Sequence, residues 1–136
     1  MRKINKIIIH STATPEGRHH TVEDITKWHL ARPDGFITIG YHFVVYLDGS
    51  VHKGRDIEMA GAHCPTQNSN SIGIVYVGGC DKNMKPKDTR TPEQKAALLK
   101  LVKELRAKYP EVTIHGHRDF KATACPSFDV HKETWT

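Results

Sequence analysis

The stretch Val112-Thr-Ile-His115-Gly-His117-Arg-Asp-Phe-Lys-Ala-Thr123-Ala-Cys125-Pro126 decides how this chain is expected to fold. It begins as a short apolar strand and then places two imidazoles and one thiol within eleven residues. Imidazole nitrogen and thiolate sulfur are side-chain atoms that hold Zn²⁺, at about 2.0–2.1 and 2.3 Å. We therefore expect a zinc site here, although this loop alone supplies too few ligands to complete it.

The remaining ligand is expected from the opposite end of the chain. Ile7-Ile8-Ile9 favours a buried strand, predicted over Lys6–His10, and His10 lies at its exit. In a mixed sheet covered by helices, ligands collect at the edge where the strands end. The sequence thus predicts that His10, His117 and Cys125 form a catalytic zinc site with an open fourth position.

Six of the other eight histidines carry weaker signals. His115 is a candidate fourth ligand, but we expect it not to share a metal with His117. Four more lie in polar surroundings and are expected at the surface: His19, His20, His52 and His131. His29 sits in a predicted helix and is left without an assigned role.

The remaining pattern predicts a single α/β domain over residues 1–136, with a central mixed β-sheet flanked by helices and the zinc site at the strand ends. One helix is predicted over Val22–Ala31, capped by Thr21 and stopped by Pro33-Asp34-Gly35. A second helix opens with the capping box Thr91-Pro-Glu-Gln94 and continues to Lys108. The other predicted strands are Tyr41–Tyr46 and Ser50–Lys53, joined by a turn at Asp48-Gly49, then Ser71–Val77 and Val112–Ile114.

The composition limits where and how the protein works. With 136 residues, 38% hydrophobic and 26% charged, the chain suits a soluble globular domain, and we expect a monomer. No apolar run is long enough for a membrane span, and only Ile7–Ile9 follow the basic start, so we expect no signal peptide. We expect synthesis in the cytoplasm, so any extracellular action would need another exit route.

Charge and cysteine content narrow the partners. The formal charge of +5 favours anionic partners, such as the polymers of a bacterial wall or nucleic acid. The basic residues are spread over the chain without an arginine-rich arm, so we expect nucleic acid not to be the primary ligand. Three cysteines form at most one disulfide, and whether Cys64 and Cys80 pair is left open.

Several short motifs follow one another in a specific order. They are Ile7-Ile-Ile-His10-Ser-Thr-Ala-Thr14, Gly40-Tyr41-His42-Phe43, Asp48-Gly49, Gly61-Ala-His63, Asn70-Ser-Ile-Gly73 and Gly116-His117-Arg-Asp119 with Ala124-Cys125-Pro126. In this order and spacing the chain resembles the N-acetylmuramoyl-L-alanine amidases of the phage lysozyme and peptidoglycan-recognition superfamily. The resemblance covers nearly the whole chain.

The resemblance implies a zinc-dependent hydrolase of peptidoglycan or muropeptide. Such an enzyme would act on muropeptides in the cytoplasm, or on the cell wall after release by a holin or another route. Such enzymes cleave the amide between the lactyl group of N-acetylmuramic acid and L-alanine with zinc-activated water. The family's zinc ligands fall on His10, His117 and Cys125, the three residues already selected from their chemistry. The family's active-site tyrosine falls on Tyr41, whose hydroxyl would orient the water or stabilise the developing negative charge.

One position departs from part of the family. Phage lysozyme-type enzymes carry a lysine two residues before the cysteine ligand, where this chain has Thr123, as peptidoglycan-recognition amidases do. We therefore expect Thr123 as the second catalytic residue, with Lys121 as the alternative. His63 and Asn70 match positions that face the substrate groove in relatives and are expected to bind substrate.

A second interpretation uses the same fold without catalysis. Relatives that only bind muropeptide or peptidoglycan typically lose the cysteine ligand. Because Cys125 and Tyr41 are both present, the sequence favours the enzyme over the recognition module.

Overall fold

The computed structural model describes residues 2–33 and 37–135. Within these residues there are seven strands: β1 Lys6–Ser11, β2 Thr14–Pro15, β3 Phe43–Val45, β4 Val51–Lys53, β5 Ser71–Tyr76, β6 Gly79–Cys80 and β7 Thr113–Gly116. Five of them form a mixed sheet in the order β4-β3-β5-β1-β7, in which only β4 runs antiparallel to its neighbour. The predicted central mixed sheet is confirmed.

Two helices cover the sheet. The helix α1 spans Val22–Leu30 and α2 spans Pro92–Lys108. Both begin with the predicted capping boxes, in which Thr21 pairs with Asp24 and Thr91 with Gln94. Neither helix is long and apolar enough to cross a lipid bilayer.

The side chains of β1 and β5 alternate between the two helices, as a two-residue period requires. Ile7, Ile9, Ile72 and Ile74 pack with the apolar stripe of α2, which consists of Leu98, Leu101, Val102 and Leu105. Val75 and Val77 pack instead with Ile25 of α1. His10 follows Ile9, so it points to the α1 side of the sheet, away from the apolar cluster packed against α2.

The predicted boundaries differ from the structure in a few places. The first helix ends at Leu30 rather than Ala31, and the proposed stop Pro33-Asp34-Gly35 lies partly outside the described residues. The strand predicted over Tyr41–Tyr46 is shorter because only its central residues pair with β5. The last strand continues to Gly116, which the prediction had placed in a loop.

The ribbon of β2 and β6 is absent from the prediction. It forms because Gly78 and Gly79 turn the chain with φ of +134° and +103°, values that favour glycine. A Cβ on Gly79 would collide with the Ser11 side chain. This close approach packs the segment after β5 against the end of β1.

Candidate metal centre

The register of the parallel strands brings two of the predicted ligands together. β1 pairs with β7 so that Ile9 lies opposite Gly116. The residue after Ile9 is His10, and the residue after Gly116 is His117, so the two histidines are neighbours. Their ring centroids are 4.5 Å apart. The convergence predicted from two strand ends is observed.

The third predicted ligand, Cys125, lies on the loop that follows β7. The Arg118 N–H donates to the Cys125 carbonyl at 2.9 Å, which closes this loop. The Tyr76 hydroxyl donates to the Pro126 carbonyl at 2.6 Å and ties the loop to β5. The Ser11 N–H then donates to the Cys125 Sγ at 3.1 Å. These bonds hold the sulfur beside the end of β1.

The three side chains leave suitable atoms for a metal ion. One ligand atom each from His10, His117 and Cys125 lie within 4.8 Å of one another. Among the described residues, His10 Nδ1 and His117 Nε2 are buried and have no hydrogen-bond partner. Such unpaired buried atoms are costly unless something binds them. Two imidazole nitrogens and one sulfur are a donor set that fits zinc.

Burial keeps the two imidazoles in the form that binds a metal. It lowers the pKa of His10 and His117, with neighbouring positive charge acting in the same direction, so both imidazoles are neutral near pH 7. Burial raises the pKa of the Cys125 thiol, which the hydrogen bond from Ser11 partly offsets. A bound cation reverses that effect and favours the thiolate.

His63 packs against His10, and it also lines a cavity beside the predicted ligands. Its side chain is buried, and its Nδ1 is 2.8 Å from His10 Nε2. Its Nε2 lies 3.3 Å from the Ser71 Oγ, which donates to the Gln67 carbonyl at 2.7 Å. These contacts form a continuous hydrogen-bonded chain from the ligand to the backbone.

Two glycines make room for the His63 ring. A Cβ on Gly73 would lie 2.6 Å from His63 Cδ2, and one on Gly61 would also overlap that atom. The Asn68 Oδ1 accepts the backbone N–H groups of His63 and Cys64 at 3.0 and 2.9 Å. The two glycines and Asn68 therefore fix the position of the His63 ring and of its backbone.

A cavity of about 210 Å³ opens beside the ligands. It is lined by His29, Arg32, Tyr41, Ala62, His63, Pro65, Asn68, His117 and Lys121. The Tyr41 ring lies edge-on to His10 with centroids 5.0 Å apart. Burial raises the pKa of Tyr41, so its hydroxyl stays protonated and can donate a hydrogen bond.

The two candidates for the second catalytic residue are placed differently. Lys121 lines the cavity. The Thr123 Oγ1 accepts the Cys125 N–H at 3.3 Å and so acts on the backbone of a ligand. The structure thus puts the ammonium beside the cavity and the hydroxyl on the ligand loop.

Of the two residues predicted to contact substrate, His63 lines the cavity and Asn70 does not. Asn70 is the last residue of the 3₁₀ turn before β5, where its Nδ2 donates to the Lys3 carbonyl at 3.3 Å. Asn68 and His29 line the cavity instead and were not predicted. The Gly40 N–H donates to His29 Nδ1 at 2.8 Å. The helical spacing of His29 was the available signal, but it did not show which face is buried.

His115 does not join the three ligands, as expected. It lies in a separate group with Asp119 and His131. Cys64 and Cys80 are both buried free thiols, which answers the open question of their pairing.

The fold and this site define a class: an α/β domain that presents a His-His-Cys metal centre at the ends of parallel strands. The family model described as N-acetylmuramoyl-L-alanine amidase matches residues 1–128. The chain therefore belongs to this amidase family.

Individual relatives agree with that assignment. The endolysin of Enterobacteria phage K11 is 37% identical over 131 residues, which cover 96% of this chain and 85% of the relative. The solved N-acetylmuramoyl-L-alanine amidase LysC from Clostridium intestinale superposes with a TM-score of 0.80 at 29% identity, covering 94% and 79% of the two chains. Drosophila PGRP-LB superposes with a TM-score of 0.78 at 27% identity, covering 93% and 76%.

Proposed function

We propose that this protein is a zinc-dependent hydrolase that cleaves the amide between the lactyl group of N-acetylmuramic acid and L-alanine in peptidoglycan or its fragments. The observation that carries the proposal is the cluster of His10 Nδ1, His117 Nε2 and the Cys125 thiol beside a cavity. Membership of the amidase family and the similarity to a phage endolysin support the same activity.

His10, His117 and Cys125 would hold the zinc ion. Zinc bound there would act as a Lewis acid: it would lower the pKa of a coordinated water to about 7 and polarise the amide carbonyl. His63 would hold the His10 ring in one tautomer. In that tautomer the His10 Nε2–H donates to His63 Nδ1, and the His10 Nδ1 lone pair is available to the metal.

Tyr41 and Lys121 are the residues available to the reacting amide. The Tyr41 hydroxyl, protonated at neutral pH, would donate to the oxygen that gains negative charge. The Lys121 ammonium at the cavity would add positive charge there. Thr123 would contribute indirectly by steadying the Cys125 backbone.

The substrate is proposed to be a muropeptide unit, in the wall or free. The +5 charge of the chain favours an anionic glycopeptide polymer over a neutral one. Ala62, Pro65 and Asn68 line the cavity around the ligands and are the surface that its stem peptide would contact.

The competing function is a recognition module that binds muropeptide without cleaving it. One observation favours it: the ectodomain complex of PGRP-LCa and PGRP-LCx, solved with bound tracheal cytotoxin, superposes with a TM-score of 0.72 at 30% identity. The presence of all three ligand side chains in this chain favours the enzyme.

The two functions separate in one experiment. Purified muropeptide is incubated with the native protein, Cys125→Ser and Cys80→Ser, the last a matched change of a buried cysteine outside the site. The enzyme predicts release of free stem peptide by the native protein and Cys80→Ser, and its loss together with tightly bound zinc in Cys125→Ser. Binding of zinc and muropeptide without peptide release would support the recognition module.

A further inference from the structure

A second group of metal-binding side chains lies outside the centre described above. His115 is on β7, Asp119 closes the 3₁₀ turn His117–Asp119, and His131 lies in the 3₁₀ turn Val130–Lys132. The Asp119 Oδ2 is 2.6 Å from His131 Nε2 and 3.5 Å from His115 Nδ1. The three potential ligand atoms all lie within 4.8 Å of one another.

We propose that His115, Asp119 and His131 form a second binding site for a divalent transition-metal ion of the zinc type. Two imidazoles and one carboxylate suit Zn²⁺, Ni²⁺ and Cu²⁺, whereas Mg²⁺ and Ca²⁺ prefer all-oxygen sites. The site is independent of the proposed amidase function, because it shares no ligand with the first centre.

The present spacing is close to what a metal requires. Zn–N and Zn–O bonds of about 2.0–2.2 Å place tetrahedral ligand atoms about 3.3 Å apart. The separation of 3.5 Å between His115 and Asp119 already meets this value. The 2.6 Å pair must open by less than 1 Å, and the His131 side chain, which is 55% exposed, is free to turn.

His115 is held in an orientation suited to binding. The Thr113 Oγ1 lies 2.7 Å from His115 Nε2, so that the ring directs Nδ1 toward Asp119. The Phe120 ring packs against the imidazole with centroids 5.2 Å apart. A histidine that binds a metal through one nitrogen usually makes a hydrogen bond with the other, as His115 Nε2 does with Thr113.

The surroundings make this the weaker of the two sites. His115 and Asp119 are partly exposed and His131 is more so, whereas His10 is fully buried. The positive charge of Lys6 also acts on His115. We therefore expect the second ion to bind after the first and to exchange faster.

The second site also touches the loop that carries a ligand of the first. The Asp119 Oδ2 accepts the Gly116 N–H at 3.1 Å, directly before His117. A metal held by Asp119 would fix both ends of this turn. Its binding should slow hydrogen exchange of the backbone amides across the turn.

The test is to titrate the metal-free protein with metal ions. Binding of Zn²⁺ is measured by calorimetry, and binding of Co²⁺ is measured by its absorption spectrum. The native chain should bind two equivalents, and only the first Co²⁺ should give sulfur-to-metal charge-transfer absorption, because only that ion has a thiolate ligand. His131→Ala should remove the second equivalent and leave the first. His19→Ala, a change of another exposed histidine, should leave both.

His115→Ala provides an independent second variant, with folding of each protein checked by circular dichroism. The proposal is overturned if the native chain saturates at one equivalent. It is also overturned if the second equivalent persists in both His131→Ala and His115→Ala, or is lost in His19→Ala.

Discussion

His63 Nδ1 lies 2.8 Å from His10 Nε2, and the buried His63 side chain also forms part of the cavity wall. Since one nitrogen of His10 is engaged in this way, the other is left without a partner and is available to a metal. Burial lowers the pKa of His63 to about 3, and the charge of His42 acts in the same direction. His63 is therefore neutral and able to accept the His10 N–H.

Removal of this contact should weaken zinc binding. His63→Ala is expected to lower zinc affinity by about 10- to 100-fold, the usual effect of losing a partner of a metal-binding histidine. His63→Asn should restore part of the affinity because its amide oxygen can accept the same N–H. Competition with a chromogenic chelator measures both. Equal loss in the two variants would show that the contact acts only through packing.

The packing of His63 against glycine yields a second prediction. Gly73→Ala would place a Cβ 2.6 Å from His63 Cδ2, and the buried strand cannot move aside easily. We expect a loss of about 1–3 kcal/mol in the free energy of unfolding, together with weaker zinc binding. In the His63→Ala background the same change should cost much less, because the clash is gone. Urea denaturation of the four proteins tests this, and additive losses would contradict the proposed clash.

The grouping of His10, His117 and Cys125 was predictable because each follows a strong local signal. Ile7–Ile9 defines a strand whose end carries His10, and His117 and Cys125 follow the last strand within one loop. Parallel pairing of β1 and β7 then makes the ends meet.

The residues around the ligands were harder to predict because they depend on contacts between distant segments. His63 lies in a loop, and its position is set by Gly61, Gly73 and Asn68 rather than by a periodic pattern. The choice between Lys121 and Thr123 depends on how one irregular loop bends, which sequence spacing does not determine. The ribbon of β2 and β6 is two residues long on each side, too short for any alternation to appear.

Tyr41 should affect catalysis without affecting the metal. Tyr41→Phe keeps the ring that packs against His10 and removes only the hydroxyl. By analogy with the loss of one donor to a developing oxyanion, kcat should fall by about 10²–10³-fold while zinc content stays the same. Steady-state hydrolysis of muropeptide with parallel zinc analysis is the measurement. Full activity in Tyr41→Phe would exclude this role.

Substitutions of Lys121 and Thr123 should have different effects on catalysis and on zinc binding. Lys121→Gln removes the charge at the cavity and should reduce kcat/KM with zinc binding unchanged. Thr123→Val removes the acceptor of the Cys125 N–H and should mainly weaken zinc binding. If instead Lys121→Gln weakened zinc binding and Thr123→Val reduced kcat/KM with zinc binding unchanged, Thr123 would be the residue that acts directly on the amide.

His42 should make stability depend on pH. Its Nδ1 accepts the Gly73 N–H at 3.0 Å, and its Nε2 lies 2.8 Å from the Met59 carbonyl. Burial lowers its pKa to about 4; Arg2 and Arg55 act in the same direction, while the Met59 bond and Asp56 oppose it. His63 is the other histidine ring packed against it, at 5.8 Å between centroids. A proton on Nδ1 would face the Gly73 N–H, so the folded state favours the neutral ring.

The sign of the effect follows from the lowered pKa. The unfolded chain binds a proton near the ordinary histidine pKa of about 6.5, above the folded value. Stability from His42 is therefore complete above that pH and is lost as the pH falls toward about 4. Between pH 7 and pH 5 the loss should be about 2 kcal/mol. His42→Asn keeps an acceptor for Gly73 and cannot titrate, so its free energy of unfolding should fall less over this range. Urea denaturation of both metal-free proteins at the two pH values measures the difference, and parallel pH profiles would contradict the buried neutral histidine.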